Sequence, residues 1–148
     1  MLLTGTFVRS LDEKLRVALP KRLRERLLEG EQHALYLAPG MDGCLSLYNE
    51  RVLAALAARL ASAAPNERHV RAYGRLFYSR AEPIELDAQG RLRIPLELAR
   101  LAGLQTEVVL LGVQDHVEIW APQRWEEYLK EEQPRFDEVA ERAIPEQR

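Results

Sequence analysis

"LDEKLRVALPKRL" (residues 11–23) is rewritten seventy-five positions later as "LDAQGRLRIPLEL" (residues 86–98). Laid over each other without a gap, the two share Leu11 with Leu86, Asp12 with Asp87, Arg16 with Arg91, Pro20 with Pro95 and Leu23 with Leu98. A second pair follows in the same order. "GMDGCLSLYNERVLAAL" (residues 40–56) lies over "GVQDHVEIWAPQRWEEY" (residues 112–128), with a three-residue register shift between Leu28 and Leu35. Two matched blocks in one order predict a duplicated module, and self-similarity of this kind decides the architecture before any local propensity does.

Each copy reads as strand, turn, strand, helix, strand, turn, strand, helix. "TGTFVRSL" and "EPIELD" alternate into the turn aspartate, and "RVALP" and "RLRIP" alternate out of it. Pro20 and Pro95 stop those strands and suit the first turn of a helix. The helices "KRLRERLLEG" and "LELARLAGL" then end on glycine. "ALYLAPG" and "EVVLLGV" read as apolar strands, joined by the turns "GMDG" and "VQDH" to "CLSLY" and "VEIW". Leu53, Leu56 and Leu60, like Trp125, Tyr128 and Leu129, recur at helical spacing and are expected in the core. The connector "SAAPNERHVRAYGRLFYSRA" has helical character in its middle. The tail after about residue 132 is polar and acidic, with Pro134 and Pro145 as breakers, and is expected to fray.

The totals narrow the function classes. The chain has 148 residues, 47% apolar and 30% charged, enough for one modest core, whereas halves of about 70 residues would each be marginal alone. No stretch approaches the ~20 apolar residues of a membrane span, and the start lacks a basic segment followed by an apolar run. The expected compartment is the cytoplasm, with no membrane partner. Cys44 is the sole cysteine, and His33, His69 and His116 have no ligand-like spacing, so neither a metal nor a cofactor is expected. There is no Gly-rich phosphate loop, HExxH or nucleophile elbow; Glu82 and Glu85 are a weak acid pair, and Cys44 reads as a small buried apolar residue. An enzyme acting on a small-molecule substrate is therefore not expected. Net charge is −2, but residues 9–26 hold seven basic residues against three acids, and residues 126–148 hold four against eight. A local basic patch of this sort can bind phosphate despite a distant acidic tail.

The run Leu-Asp-x-x-Gly-Arg-x-x-x-Pro, seen through Asp87, Gly90, Arg91 and Pro95, followed by a short helix and Gly103-Leu104, resembles the AbrB-like swapped-hairpin DNA-binding module. Two copies in one chain, with the ending "EIWAPQRWEEYL" and the basic segment between them, are similar to the MraZ family of bacterial transcriptional regulators. The likeness covers about residues 4–129. It implies a mixed β/α, mainly β fold, in which two swapped-hairpin modules form an intertwined, double-psi-like small β-barrel with flanking helices. The implied organisation is a first DNA-binding module over 5–52, a helix and basic connector over 53–80, a second module over 81–124, and a C-terminal helix and acidic tail over 125–148. Also implied is a homo-oligomeric ring, nucleoid-associated, that reads repeated boxes in double-stranded promoter DNA of division and cell-wall genes.

The candidate contacts follow from the turn. Asp12 and Asp87 close it by accepting backbone hydrogen bonds, with Gly90 relieving a left-handed position. Arg16 and Arg91, just after the turn, can fork onto a phosphate or onto the O6/N7 edge of guanine. Lys14 is assigned to phosphate on the face of Arg16, Arg93 to the face of Arg91, and Arg9 to the flank; Arg93 and Arg9 read equally as plain surface charges. The run Lys21, Arg22, Arg24, Arg26 reads as a solvated helix face. Arg68, Arg71, Arg75 and Arg80 are free to pair with acids of a neighbouring subunit. One departure stands out: Leu15 occupies the place of Gly90 and leaves the geometry of Arg16 open. The rival reading is an oligomeric interaction scaffold without DNA binding.

Overall fold

The computed structural model describes residues 2–30 and 34–146. His33 and part of the interval between Leu28 and Leu35, where the copies shift register, lie outside the described residues. The first copy contributes strands β1 (Thr6–Ser10) and β2 (Arg16–Ala18), helix α1 (Lys21–Leu27), strands β3 (Leu35–Pro39) and β4 (Leu45–Asn49) and helix α2 (Glu50–Ala61). Helix α3 (Arg68–Tyr78) fills the connector. The second copy repeats the order with β5 (Glu82–Ile84), β6 (Arg91–Arg93), α4 (Leu96–Leu101), β7 (Glu107–Val113), β8 (His116–Trp120) and α5 (Pro122–Glu132). A 3-10 turn (Gln133–Arg135) and helix α6 (Phe136–Ala143) end the described chain.

The fold is mixed, with its strands mainly in one six-stranded antiparallel sheet of order β1-β7-β8-β4-β3-β5 and a separate two-stranded ribbon, β2-β6. Neighbours are exchanged between copies. β1 pairs with β7 of the second copy, β5 pairs with β3 of the first, and β4 with β8 and β2 with β6 join equivalent strands. An approximate twofold axis therefore relates the halves and passes through the ribbon.

One alternating set of the sheet, including Leu37, Leu47, Leu110 and Ile119, forms a single core with Val17 and Leu92 of the ribbon and Leu23, Leu27 and Leu98 of α1 and α4. The opposite face carries a smaller cluster of Cys44, Val109, Leu111 and Trp120, covered by Trp125 and Tyr128 of α5. Neither copy owns a complete core, which is how halves too small to stand alone become stable together.

The expected closed barrel is not what forms. Among the described residues β1 and β5 each have one partner in the sheet, and the ribbon strands pair only with each other. The cause is local. Leu15 and Gly90 take left-handed φ angles of 61° and 74°, so the chain leaves the extended path between β1 and β2 and between β5 and β6. β5 is also only three residues long and holds Pro83, which has no N–H to give a further ladder.

Three smaller expectations also change. Pro20 and Pro95 sit at the cap positions, one residue before α1 and α4. Leu53, Leu56 and Leu60 are half-buried rather than core, and Leu129 is exposed. The tail is helical instead of frayed through Ala143: Pro134 sits in the first turn of the 3-10 segment, Arg135 bridges Glu132 and Glu138, and α6 stops at Ile144, held extended before Pro145. Buried Asn49 caps α2 through Val52 N–H and donates to the Leu27 carbonyl at 3.1 Å, tying α2 to the end of α1.

Candidate nucleic-acid interface

The ribbon is built from two copies of one turn. Asp12 Oδ1 accepts the Lys14 and Arg16 N–H groups at 2.9 and 2.8 Å, and Oδ2 accepts Arg16 Nε at 2.8 Å. Asp87 does the same for the N–H groups of Gln89 and Arg91 at 2.9 and 3.0 Å and for Arg91 Nε at 2.8 Å. The backbone N–H groups of Arg16 and Arg91, followed by the guanidinium hydrogen bonds, hold the two carboxyls below the ordinary aspartate range, so both are ionised at neutral pH. The turns then lock across the axis. The Leu15 carbonyl accepts Ile94 N–H at 2.8 Å, and the Gly90 carbonyl accepts Leu19 N–H at 3.1 Å.

Leu15 thus adopts the same turn as Gly90, and Arg16 sits as Arg91 does. A non-glycine residue at this φ costs ~1–2 kcal/mol, and space explains why the two positions differ. A Cβ at Gly90 would meet the Arg24 guanidinium of α1. The residue equivalent to Arg24 in the second copy is Ala99, and Leu15 packs onto the core that contains it. Gly90→Ala is therefore expected to destabilise the fold by ~1–2 kcal/mol through φ strain, with displacement of Arg24 in addition. Leu15→Gly should stay within about 1 kcal/mol, because relieved strain offsets lost contact. Urea unfolding of both variants checks the asymmetry.

Register places the cations. In the ribbon Arg16 faces Arg93, Val17 faces Leu92 and Ala18 faces Arg91. Val17 and Leu92 point into the core and are 0% exposed. The outer face consequently carries Arg16, Arg91 and Arg93 around Ala18, since residues two apart share a side. Each turn arginine is bonded to a carboxylate, yet the side chains of Arg16 and Arg91 remain 32% and 30% exposed. The bond uses Nε, and the Nη groups of both make no hydrogen bond among the described residues. The aspartate fixes the arm and leaves the end of the fork available. Arg16 and Arg93 lie directly opposite each other, a repulsive pairing that an anion over the ribbon would relieve.

The other predicted contacts fall less tightly together. Lys14 is exposed in the turn rather than on β2, because alternation ends where Leu15 turns left-handed. Arg9 is on β1, its guanidinium 5.6 Å from the centre of the Phe7 ring and donating to the Val8 carbonyl. Arg22 packs over the same ring at 5.1 Å and donates to the Thr4 carbonyl, so it is not a freely solvated charge. Ala18 was overlooked by sequence reasoning. Its smallness opposite Arg91 matters only once β2 and β6 are known to pair. Among the described residues no group of three or more His, Cys, Asp or Glu is placed to hold a metal, and no helix is long and apolar enough to cross a membrane.

A duplicated β/α chain that mounts a basic two-stranded ribbon on a core shared by its halves is the class of protein defined by fold and site together. Comparison with known proteins gives the family. A family model described as "MraZ protein, putative antitoxin-like" matches residues 77–146. A protein of Lactobacillus delbrueckii subsp. bulgaricus named "Transcriptional regulator MraZ" is 39% identical over 137 residues, 93% of each chain. Proteins of the same name from Symbiobacterium thermophilum and Heliobacterium modesticaldum are 38% and 36% identical, over 93% and 95% of this chain and 97% and 95% of theirs. The chain belongs to the MraZ family.

Proposed function

We propose that this chain is a DNA-binding transcriptional regulator that lays the outer face of its β2–β6 ribbon into the major groove. The single observation that carries the reading is the pair of aspartate-braced, part-exposed arginines, Arg16 and Arg91, related by the approximate twofold and flanked by Arg93. A two-stranded ribbon fits the major groove, where a guanidinium reads guanine or a phosphate. Lys14 and Arg9 add phosphate contacts at the flanks, while Asp12, Asp87 and Gly90 hold the turns. The name carried by the relatives supports regulation of transcription as the outcome. In this reading residues 5–52 and 81–124 are two swapped-hairpin modules that complete each other, joined by 53–80 and followed by the tail 125–148. The protein works in the cytoplasm on the nucleoid, without cofactor, metal, catalysis or membrane.

One ribbon offers few contacts, so a single module binds weakly. A homo-oligomeric ring presents several ribbons to repeated promoter boxes, those of division and cell-wall genes, and raises avidity by ~100- to 10,000-fold when the spacing fits. Head-to-tail contacts that close generate such rings. Against the rival scaffold reading stands Leu15, whose turn keeps the geometry of the glycine turn.

A gel-shift salt titration on DNA from upstream of the gene tests the proposal. Six or more phosphate contacts across the assembly predict a loss of affinity of roughly 1,000-fold or more between 50 and 200 mM salt. No binding to any upstream repeat at low salt would favour the scaffold.

A further inference from the structure

The two braced arginines cannot tell one end of a DNA site from the other. The approximate twofold exchanges Arg16 with Arg91, and each is held in the same way, its Nε 2.8 Å from an aspartate oxygen. A ribbon carrying those two alone would lie on a duplex in either direction with equal affinity.

The rest of the outer face breaks that symmetry. The same operation exchanges Ala18 with Arg93, both exposed. Register then makes the two ends of the ribbon unequal. At one end Arg16 and Arg93 are cross-strand neighbours, and at the other Arg91 faces Ala18. Residues directly opposite in a ladder have Cβ atoms ~4.5–5.5 Å apart. The first end therefore presents two guanidinium groups to the groove, where the second presents one and a methyl. Arg93 makes no ion pair or hydrogen bond among the described residues. The surroundings of the two ends differ as well. Glu82 and Glu85 line a cleft with Leu15 and Arg93 at the first end, whereas the Arg24 guanidinium lies against Gly90 at the second.

We infer that the ribbon sits on its DNA box in one preferred orientation, and that Arg93, where the twofold puts Ala18 in the other strand, is the residue that selects it. The inference rests on the proposed placement of the ribbon in the major groove, and it adds a direction to that contact. Turning the ribbon end for end carries Arg93 to the place of Ala18 and loses its contact. One bidentate arginine–base contact discriminates by about 5- to 150-fold, the equivalent of ~1–3 kcal/mol.

The test maps the orientation by tethered cleavage. Glu13 and Ala88 are equivalent exposed residues of the two turns, and the register puts those turns at opposite ends of the ribbon. An iron chelate is attached to full-length Glu13→Cys or Ala88→Cys chains, in which Cys44 is buried, and each is bound to the upstream duplex. Each probe is expected to cut mainly on one side of a box, and the two on opposite sides. Adding Arg93→Ala should lower the ratio of major to minor cut about 5- to 150-fold, toward even cutting. Adding Ala18→Arg/Arg93→Ala should reverse it. Even cutting on both sides by either probe without these changes would overturn the preferred orientation and leave the ribbon contact standing. One-sided cutting that Ala18→Arg/Arg93→Ala leaves unchanged would overturn the role of Arg93. A chain that binds the duplex but cuts no box from either turn would overturn the ribbon contact itself.

Discussion

An Arg16→Ala/Arg91→Ala variant is expected to lose roughly 2–6 kcal/mol of DNA-binding free energy per module, at ~1–3 kcal/mol for each guanidinium. That is a drop of about 30-fold to more than 10,000-fold in affinity. Both side chains lie on the outer face of the ribbon, and Asp12 and Asp87 keep their bonds to the backbone N–H groups of the turns when the guanidinium is removed. The melting temperature should therefore move little. Fluorescence anisotropy with an upstream duplex at fixed salt measures the loss, and the slope of log affinity against log salt should fall by about one for each arginine that contacts phosphate. The approximate twofold makes the prediction sharper: either single variant should cost a similar amount, because Asp12 and Asp87 hold the two arms at the same 2.8 Å. Unchanged binding in the double variant would mean that the ribbon face is not the contact.

Leu92→Ala is expected to do the opposite first. Leu92 is the inward residue of β6, opposite Val17 and wholly buried. Truncating a buried leucine costs ~2–5 kcal/mol through lost burial and the cavity left behind. For a chain of this size that is a fall of roughly 4–20 °C in melting temperature. Differential scanning calorimetry reads it directly. DNA affinity should weaken as a consequence, because the two strands that aim the arginines lose their anchor to the sheet. A melting temperature within a degree of wild type would show that the ribbon does not depend on the shared core.

Much of the fold could be read from the chain because the message is written twice. The repeated Leu-Asp…Arg…Pro sentence located both turns, the four short strands around them and both following helices. The shared core followed from halves too small to be stable alone. What could not be read was pairing between distant segments. Nothing local in "RVA" or "RLR" says that they pair with each other instead of continuing the hairpins from β1 and β5, and the expected barrel failed there. The tail was misjudged because composition outweighed pattern: its acids and prolines suggested fraying, while the spacing of Phe136, Val139, Ala140 and Ala143 already described a helix face. At the candidate site the arginines and turn aspartates were legible from residue type and spacing. The side of the ribbon they share depends on register, and Leu15 could be reconciled with Gly90 only through Arg24 and Ala99, each of which lies in the other copy.

Which surface touches DNA can be read from one residue. Ala18 sits in the middle of the outer face, opposite Arg91. Cys44 is buried and its thiol is pushed up to about 12, chiefly by burial, with Glu118 and Asp42 adding to the shift. An Ala18→Cys chain therefore offers one reactive thiol, to which an iron chelate that cuts nearby DNA can be attached. Cleavage centred within each upstream box is the predicted result. Uncut boxes from this position, with cleavage instead from the same probe at Glu141→Cys on α6, would contradict it.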